Sequence, residues 1–350
     1  MTIRSELRIA LGVFALALMA SAASAGEKSP ARTGPQFPAD VRVDRELQFR
    51  PAARIIVPSM RTDDPPRIIT LPPSVRYEAD VAFLPTNRSE LADLYFPATI
   101  PKNERLPVVV VIHGGGFNDG DKARPREISF ATNLVANGYV VMSINYKLRR
   151  RQGEVTWPQP VLDAKTAVRW LRKNADALGI DPERIGAMGG SAGGNLSAML
   201  ALTGPGDGFD ASEPCGEFSS RVSCGVDFYG AVKLLDYHDM KMFARTRAEA
   251  PELYEKASPV NYASAGDAPM LIVHGTKDET VPLSQSEALA AALKKAGVEH
   301  ELVVVPGAPH TFDLTPPQKD LRPVVLGFLD RHLKTQSPPL CKQASQCLPP

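Results

Sequence analysis

Two hydrophobic patterns alternate along the middle of this chain. Short unbroken runs of apolar, mostly β-branched residues are typical of strands buried on both faces of a parallel sheet, and residues 108–112 (Val-Val-Val-Val-Ile) are the clearest example. Between these runs, apolar residues recur at helical spacing, as in residues 160–178, which stop at Gly179. The patterns predict strands at residues 77–83, 90–96, 108–112, 139–146, 184–188, 222–229, 270–274 and 301–305, and helices at residues 125–136, 160–178, 192–203, 284–296 and 323–333.

The alternation of strand and helix predicts an α/β fold, with a mostly parallel twisted sheet and helices on both faces. We assign residues 74–336 to this domain. Residues 230–262 break the alternation and are rich in charged, methionine and aromatic residues, which predicts a small cap insertion over a site. Since such sheets bind ligands at the carboxyl ends of their strands, the loops after the strands are the first candidates for chemistry.

The first 25 residues have the features of a secretory signal peptide. Arg4 and Arg8 precede a short apolar stretch, and Ala23-Ser24-Ala25 has the small residues of a cleavage site. This predicts export to the periplasm or the medium after cleavage near Ala25, with an uncleaved membrane anchor as the alternative. No later segment is apolar enough to be expected to span a membrane.

Two flanking segments hold many of the 32 prolines. Residues 26–73 predict a Pro-rich N-terminal arm on the surface, and residues 337–350 predict a similar tail that contains cysteines. Four cysteines in an exported chain favour disulfides, and the simplest of the three pairings joins Cys215 to Cys224 and Cys341 to Cys347. A zinc site is the competing interpretation, but neither pair has C-x-x-C spacing or a nearby histidine pair, so no metal is predicted.

Composition narrows the functional classes. With 40 basic and 39 acidic residues the formal net charge is +1, which offers no electrostatic reason to bind nucleic acid. The hydrophobic content of 43% is sufficient for a large core.

The segment Gly189-Gly190-Ser191-Ala192-Gly193 fits the G-x-S-x-G pattern of a nucleophile elbow. In that turn a serine lies at the tip of a sharp strand-to-helix connection, and Gly189 and Gly193 avoid collisions with the strand and the helix. The following helix directs its N-terminal N–H groups towards Ser191. An ordinary glycine-rich turn before a helix is the alternative, so the rest of the chain must supply the partners.

A serine nucleophile needs a base and an orienting carboxylate, in the chain order Ser, Asp or Glu, His. Asp278 follows the predicted strand at residues 270–274, and His310 follows the one at residues 301–305. Both positions are at carboxyl ends of parallel strands, the edge where Ser191 is expected. Glu279 and Asp267 are alternatives for the acid, and His274 is interpreted as a buried core residue.

A second glycine-rich segment, His113-Gly114-Gly115-Gly116, follows the strand at residues 108–112. It is typical of the HGGG oxyanion loop, in which backbone N–H groups point at a carbonyl oxygen. We predict that Gly115, Gly116 and Ala192 donate these N–H groups and that His113 holds the loop by hydrogen bonding. A phosphate-binding loop is the rival, but the Lys-Ser/Thr of a P-loop is missing.

Taken together, the His113–Phe117 segment, Asn145-Tyr146, Ser191 with its glycines, His274-Gly-x-x-Asp278 and His310 resemble an α/β-hydrolase over residues 77–333. Within that fold the chain resembles two HGGG-bearing esterase groups, the hormone-sensitive-lipase-like group and the acetyl-xylan/feruloyl (BD-FAE-like) group. Gly190, where many lipase-like relatives have Asp, and Asn-Tyr-Lys, where that group usually has Asp-Tyr-Arg, favour the BD-FAE-like side.

The resemblance implies hydrolysis of a small-molecule or carbohydrate carboxylic ester through a Ser-His-Asp triad and an acyl-enzyme, with no metal or organic cofactor required. Three alternatives remain open on the sequence. An arylformamidase-like amidase and a prolyl-oligopeptidase-type peptidase share the fold and the triad order, although the short arm is too small for a β-propeller. A non-catalytic binding module on the same scaffold is the third.

Overall fold

A mixed eight-stranded sheet with helices on both faces forms the centre of the protein. The computed structural model describes residues 54–57, 67–100, 104–210 and 215–334, all within a compact unit that covers residues 35–350. The predicted signal peptide and the tail after residue 336 lie outside the described residues. So does most of the predicted N-terminal arm.

The strands follow the hydrophobic runs closely. Their bounds are β3 Val75–Val81, β4 Ala92–Pro97, β5 Leu106–Ile112, β6 Val140–Ile144, β7 Ile180–Gly190, β8 Cys224–Phe228, β9 Met270–Gly275 and β10 His300–Val305. In the order β10-β9-β8-β7-β5-β6-β4-β3, the strands from β10 to β6 are parallel, whereas β4 is antiparallel to both β6 and β3.

Two further strands lie within the predicted arm. β1 (Arg54–Val57) and β2 (Arg67–Thr70) form a separate antiparallel pair. Ile55 and Val57 are buried and join the core on one side of the large sheet. The alternating burial of β1 follows from its alternating contact with that core, a pattern too short to stand out in a Pro-rich sequence.

The helices match the predicted periodic segments. They are α1 Pro125–Ala136, α2 Gln159–Lys173, α3 Ala175–Leu178, α4 Ala192–Leu202, α5 Pro251–Lys256, α6 Ser284–Ala296 and α7 Arg322–Leu333. The single helix predicted at residues 160–178 is divided at Asn174, whose side-chain amide donates to the Trp170 carbonyl at 2.8 Å, and Gly179 then ends α3 in a left-handed conformation. None of the helices in these described ranges is both long and apolar enough to span a membrane.

The central strands carry residues of both glycine-rich segments to one edge of the sheet. β5 lies between β6 and β7, and Ile112 at its end is in register with Gly189 of β7. Gly190 in turn is in register with Phe228 at the end of β8. The loops after β5, β7 and β8 therefore start side by side.

The predicted cap segment connects β8 to β9. It contains α5 and three short 3-10 turns, at Leu234–Asp236, Lys241–Phe243 and Pro259–Asn261. The Tyr237 hydroxyl donates to the carbonyl of Thr280 at 2.8 Å, which ties this segment to the loop after β9.

The predicted disulfide between Cys215 and Cys224 is wrong. Cys224 is a buried free thiol that packs in the core between the sheet and α7, where burial raises the pKa of the thiol. Cys215 is buried close to Arg169 of α2, which covers the opposite face. The sheet therefore separates the two sulfur atoms. The second predicted pair, Cys341 with Cys347, lies outside the described residues.

Candidate active site

Ser191 occupies the turn between β7 and α4 in a conformation that L-residues rarely adopt. Its φ of 59° and ψ of −119° lie outside the left-handed helical well, in which ψ is positive. The turn is held on both sides, because the Ser191 N–H donates to the Phe228 carbonyl at 2.8 Å and the Ser191 carbonyl accepts from the Asn195 N–H at 3.0 Å. Such over-determined strain is common at functional sites.

The glycines around Ser191 are required by close backbone contacts. A β-carbon added at Gly193 would lie 2.0 Å from the carbonyl oxygen of Ile112, and one added at Gly189 would lie 2.3 Å from the carbonyl oxygen of Gly193. Both distances are far below van der Waals contact with backbone atoms that cannot easily move. The first turn of α4 is therefore pressed against the ends of β5 and β7, which sets the position of the serine.

The loop after β5 curls back towards this turn. Gly115 has a φ of 116°, and a β-carbon there would lie 1.9 Å from the carbonyl oxygen of Asp119, so only glycine fits. Gly116 follows with a φ of 60°. Gly114, Gly115, Gly116 and Ala192 all line the cavity that also contains Ser191.

His113 supports the loop from beneath. Its Nδ1 donates to the Gly114 carbonyl at 2.7 Å, and its ring stacks on Tyr146 with 4.4 Å between ring centroids. The Tyr146 hydroxyl in turn donates to the His113 carbonyl at 2.9 Å. Burial lowers the pKa of His113 to about 4, so the imidazole is neutral at neutral pH.

Asp278 and His310 form a direct hydrogen bond across the ends of two strands. His310 Nδ1 donates to Asp278 Oδ2 at 2.6 Å, and Asp278 Oδ1 accepts the N–H groups of Thr280 and Val281 at 2.9 and 2.8 Å. Burial alone would raise the pKa of this carboxyl group. The donors from His274, His310 and Val281 outweigh burial and hold the pKa well below its usual value.

One cavity of about 710 Å³ contains Ser191 and His310 together. Its walls come from the loop after β5, the start of α1, the cap segment and the loop after β9. The cap contributes a run of five residues, Tyr237, His238, Asp239, Met240 and Lys241. Within the described ranges, no group of three or more His, Cys, Asp and Glu side chains is arranged to hold a metal ion.

Sequence reasoning missed two residues of this cavity region. The Arg126 side chain is 15% exposed, and its Nη1 donates to the Tyr229 hydroxyl at 3.2 Å. Tyr229 follows the end of β8, donates to the Phe312 carbonyl at 2.5 Å and packs edge-on against His310 with 4.8 Å between ring centroids. Its position directly after a parallel strand was the available signal.

A third missed contact concerns His274. This histidine is buried as the sequence predicts, but its Nε2 also lies 3.3 Å from Asp278 Oδ2. Its position four residues before the predicted acid does not by itself indicate contact, because both residues lie at the end of a strand and the intervening turn decides where the side chains meet.

The parallel sheet, the serine at a strained strand-to-helix turn and the acid–histidine pair at the same edge define an α/β-hydrolase. The BD-FAE family model matches residues 92–293, more than half of the chain, and the chain belongs to this family.

Curated relatives include esterases of Mycobacterium tuberculosis. Esterase LipQ is 32% identical over 260 residues, which cover 69% of this chain and 59% of LipQ. Esterase LipC is 30% identical, with 65% and 58% of the two chains covered. The chain thus spans about three fifths of the length of these relatives.

Solved structures show the same fold. A truncated carbohydrate esterase from gut microbiota superposes with a TM-score of 0.66 at 23% identity, covering 74% of this chain and 96% of the other, a likeness that concerns the fold alone. An esterase of the planctomycete Thermogutta terrifontis, solved with bound butyrate, has a TM-score of 0.62 at 28% identity and covers 76% and 97%.

Proposed function

We propose that this protein is a serine hydrolase that cleaves carboxylic esters, with Ser191 as the nucleophile, His310 as the base and Asp278 as the carboxylate that orients it. The observation that carries the proposal is that His310, which lines the same cavity as Ser191, donates a 2.6 Å hydrogen bond from Nδ1 to the buried Asp278 carboxylate. Family membership and the esterase relatives support the reaction class.

The hydrogen bond to Asp278 determines which ring nitrogen of His310 acts as the base. Because Nδ1 of His310 carries the hydrogen that Asp278 accepts, the lone pair of the neutral ring is on Nε2. Nε2 takes the proton of Ser191 as its oxygen attacks the ester carbonyl carbon, and the resulting imidazolium gives this proton to the leaving alcohol. Water then repeats the sequence on the acyl-enzyme and releases the carboxylic acid.

The negative charge of the tetrahedral intermediate needs fixed donors. In this proposal they are the N–H groups of Gly115, Gly116 and Ala192. The Ser191 N–H is already committed to Phe228, so the next amide along the chain, that of Ala192 at the first position of α4, is available at the positive end of the helix. Losing one such donor typically costs about 2.7–4 kcal/mol of barrier lowering.

The cavity supports a small ester. A volume of about 710 Å³ is within the usual range for small-molecule sites. Arg126 and Tyr229 fill the space beside Gly190, where an added β-carbon would lie 3.0 Å from Arg126 Nη1 and 3.1 Å from the Tyr229 ring. These side chains therefore limit the room next to the nucleophile, and we expect short acyl groups to be preferred.

The test is turnover of p-nitrophenyl esters with acyl chains from C2 to C12, with acetylated xylan and methyl ferulate alongside. A fluorophosphonate probe on the purified full chain reports the nucleophile directly. We expect wild type to hydrolyse the short esters and to be labelled. Ser191→Ala should lose both signals while its circular dichroism spectrum stays unchanged.

Ser197→Ala is the matched control. Ser197 lies in α4, the helix that follows Ser191, and its buried hydroxyl has no hydrogen-bond partner in the described structure. It should label and turn over like wild type. Labelling of Ser191→Ala at the wild-type rate would disprove the proposed nucleophile. Turnover of N-formyl substrates in preference to every ester would replace the esterase with an amidase.

A further inference from the structure

The acid of the proposed triad is held by a second histidine that the reaction scheme does not use. Asp278 Oδ2 lies 2.6 Å from Nδ1 of His310 and 3.3 Å from Nε2 of His274. The side chains of Asp278 and His274 are both fully buried. Two imidazole nitrogens from different strand ends thus converge on one carboxylate oxygen.

The partners of His274 fix its hydrogen positions. Nε2 also lies 2.8 Å from the carbonyl oxygen of Val281, so both neighbours of Nε2 are acceptors and this nitrogen must carry a hydrogen. Nδ1 lies 2.7 Å from the hydroxyl of Ser286 in the first turn of α6. In the neutral ring, Nδ1 therefore accepts from Ser286, and Nε2–H is shared between Val281 and Asp278.

This arrangement links α6 to the base. The Ser286 hydroxyl sets the tautomer of His274, and the N–H of His274 then points at the same oxygen that accepts from His310. A hydrogen bond to a carboxylate stabilises its charged form, and a buried carboxylate with fewer donors is a stronger acceptor for those that remain. His274 therefore influences both the orientation of Asp278 and the strength of its bond to His310.

We propose that His274, held in one tautomer by Ser286, is a positioning residue that aligns the Asp278 carboxylate with His310. The proposal rests on the proposed function, since it assigns a role within the same triad. His274 does not line the cavity that contains Ser191 and His310. It acts on the reaction through Asp278.

Several ionisable groups face His274 and are affected when it is replaced. From the loop after β8, Tyr229 packs edge-on against His274 with 6.5 Å between ring centroids. From β8 itself, the buried Asp227 interacts electrostatically with His274. From its own strand end there is Asp278, with His310 behind it. Removing the imidazole of His274 therefore changes the electrostatic field at two carboxylates. One is Asp278, which contacts His310, and the other is Asp227.

The experiment compares His274→Phe with His274→Gln in the full chain, on a short p-nitrophenyl ester across pH. Phe keeps a ring but removes the N–H, and Gln restores a donor. We expect His274→Phe to lower kcat about tenfold with little change in KM. The acid limb of its kcat/KM profile should move up by about half a pH unit, because the less solvated carboxylate retains the imidazolium better. His274→Gln should recover part of the lost kcat and reverse part of the shift of the acid limb.

Ser286→Ala is the milder second variant if His274→Phe does not fold, and it should show the same two changes to a smaller degree. His300→Gln is the control. His300 pairs with Met270 at the amino-terminal ends of β10 and β9, whereas the site lies at the carboxyl-terminal ends of the strands. It should leave the profile unchanged.

The proposal is overturned if His274→Phe and Ser286→Ala keep the wild-type kcat and pH profile. It is also overturned if His274→Phe loses activity with an unmoved acid limb and no rescue by Gln, since that result describes a purely structural residue. In either case Ser191→Ala remains the separate measure of the proposed function.

Discussion

The strain at Ser191 predicts that the nucleophile lowers the stability of the fold. A β-carbon held at a φ of 59° and a ψ of −119° costs on the order of 1–3 kcal/mol, which glycine does not incur. Glycine also makes the unfolded chain more flexible, which offsets roughly 0.5–1 kcal/mol of that gain. Ser191→Gly should therefore be more stable than Ser191→Ala by about 1 kcal/mol, the difference of these two effects.

The measurement is the unfolding midpoint of the two variants, by heat and by urea. For a chain of 350 residues about 1 kcal/mol corresponds to a rise of roughly 1–2 °C in Tm. Both variants lack the hydroxyl, so the comparison isolates the β-carbon. The same pair at Ser197, in the interior of α4, should show the reverse order, since glycine in a helix is about 1 kcal/mol worse than alanine. Equal or higher stability for Ser191→Ala than for Ser191→Gly would refute the reasoning.

Two further predictions concern neighbouring positions. Gly193→Ala should destabilise the fold by about 1–3 kcal/mol or more in urea unfolding, because the new β-carbon would lie 2.0 Å from the Ile112 carbonyl oxygen. Burial raises the pKa of Asp227 from 3.8 to about 7, so between these values the unfolded chain loses a proton that the folded chain keeps, and stability falls as pH rises, by about 1.4 kcal/mol per unit at most. Asp227→Asn should therefore gain in Tm relative to wild type from pH 4 to 7 and keep that gain above pH 7.

Each of these predictions has its own contrary result. Gly327→Ala, in the middle of α7 with nothing closer than an Arg331 nitrogen at 3.9 Å, should be neutral or stabilising, as helix propensity requires. If Gly193→Ala is as stable as Gly327→Ala, then Gly193 does not lie as close to the Ile112 carbonyl oxygen of β5 as the structure has it. A Tm difference between Asp227→Asn and wild type that stays constant from pH 4 to 8 would mean that Asp227 is ionised in the folded protein throughout.

Much of the fold follows from the sequence because the signals are local. Residues 108–112 are apolar on both faces, so β5 had to be a central strand, and Pro125–Ala136 carries its own start signal and an apolar stripe. The glycines beside Ser191 and after His113 mark turns that only glycine permits. The order of Ser191, Asp278 and His310, each after a strand, then indicated one edge of one sheet.

Only the tertiary structure decided the contacts between these turns. His274 and Asp278 lie four residues apart, yet the 3.3 Å approach of their side chains depends on the turn that brings Val281 back to His274. Arg126 reaches Tyr229 because the first turn of α1 lies beside Gly190 at the end of β7, where an added β-carbon would be 3.0 Å from Arg126 Nη1. Cys224 and Cys215 are close in sequence, but the sheet between them leaves the Cys224 thiol unpaired. Hydrophobic period and turn chemistry act over a few residues, whereas these contacts depend on strand order, which no short stretch of chain encodes.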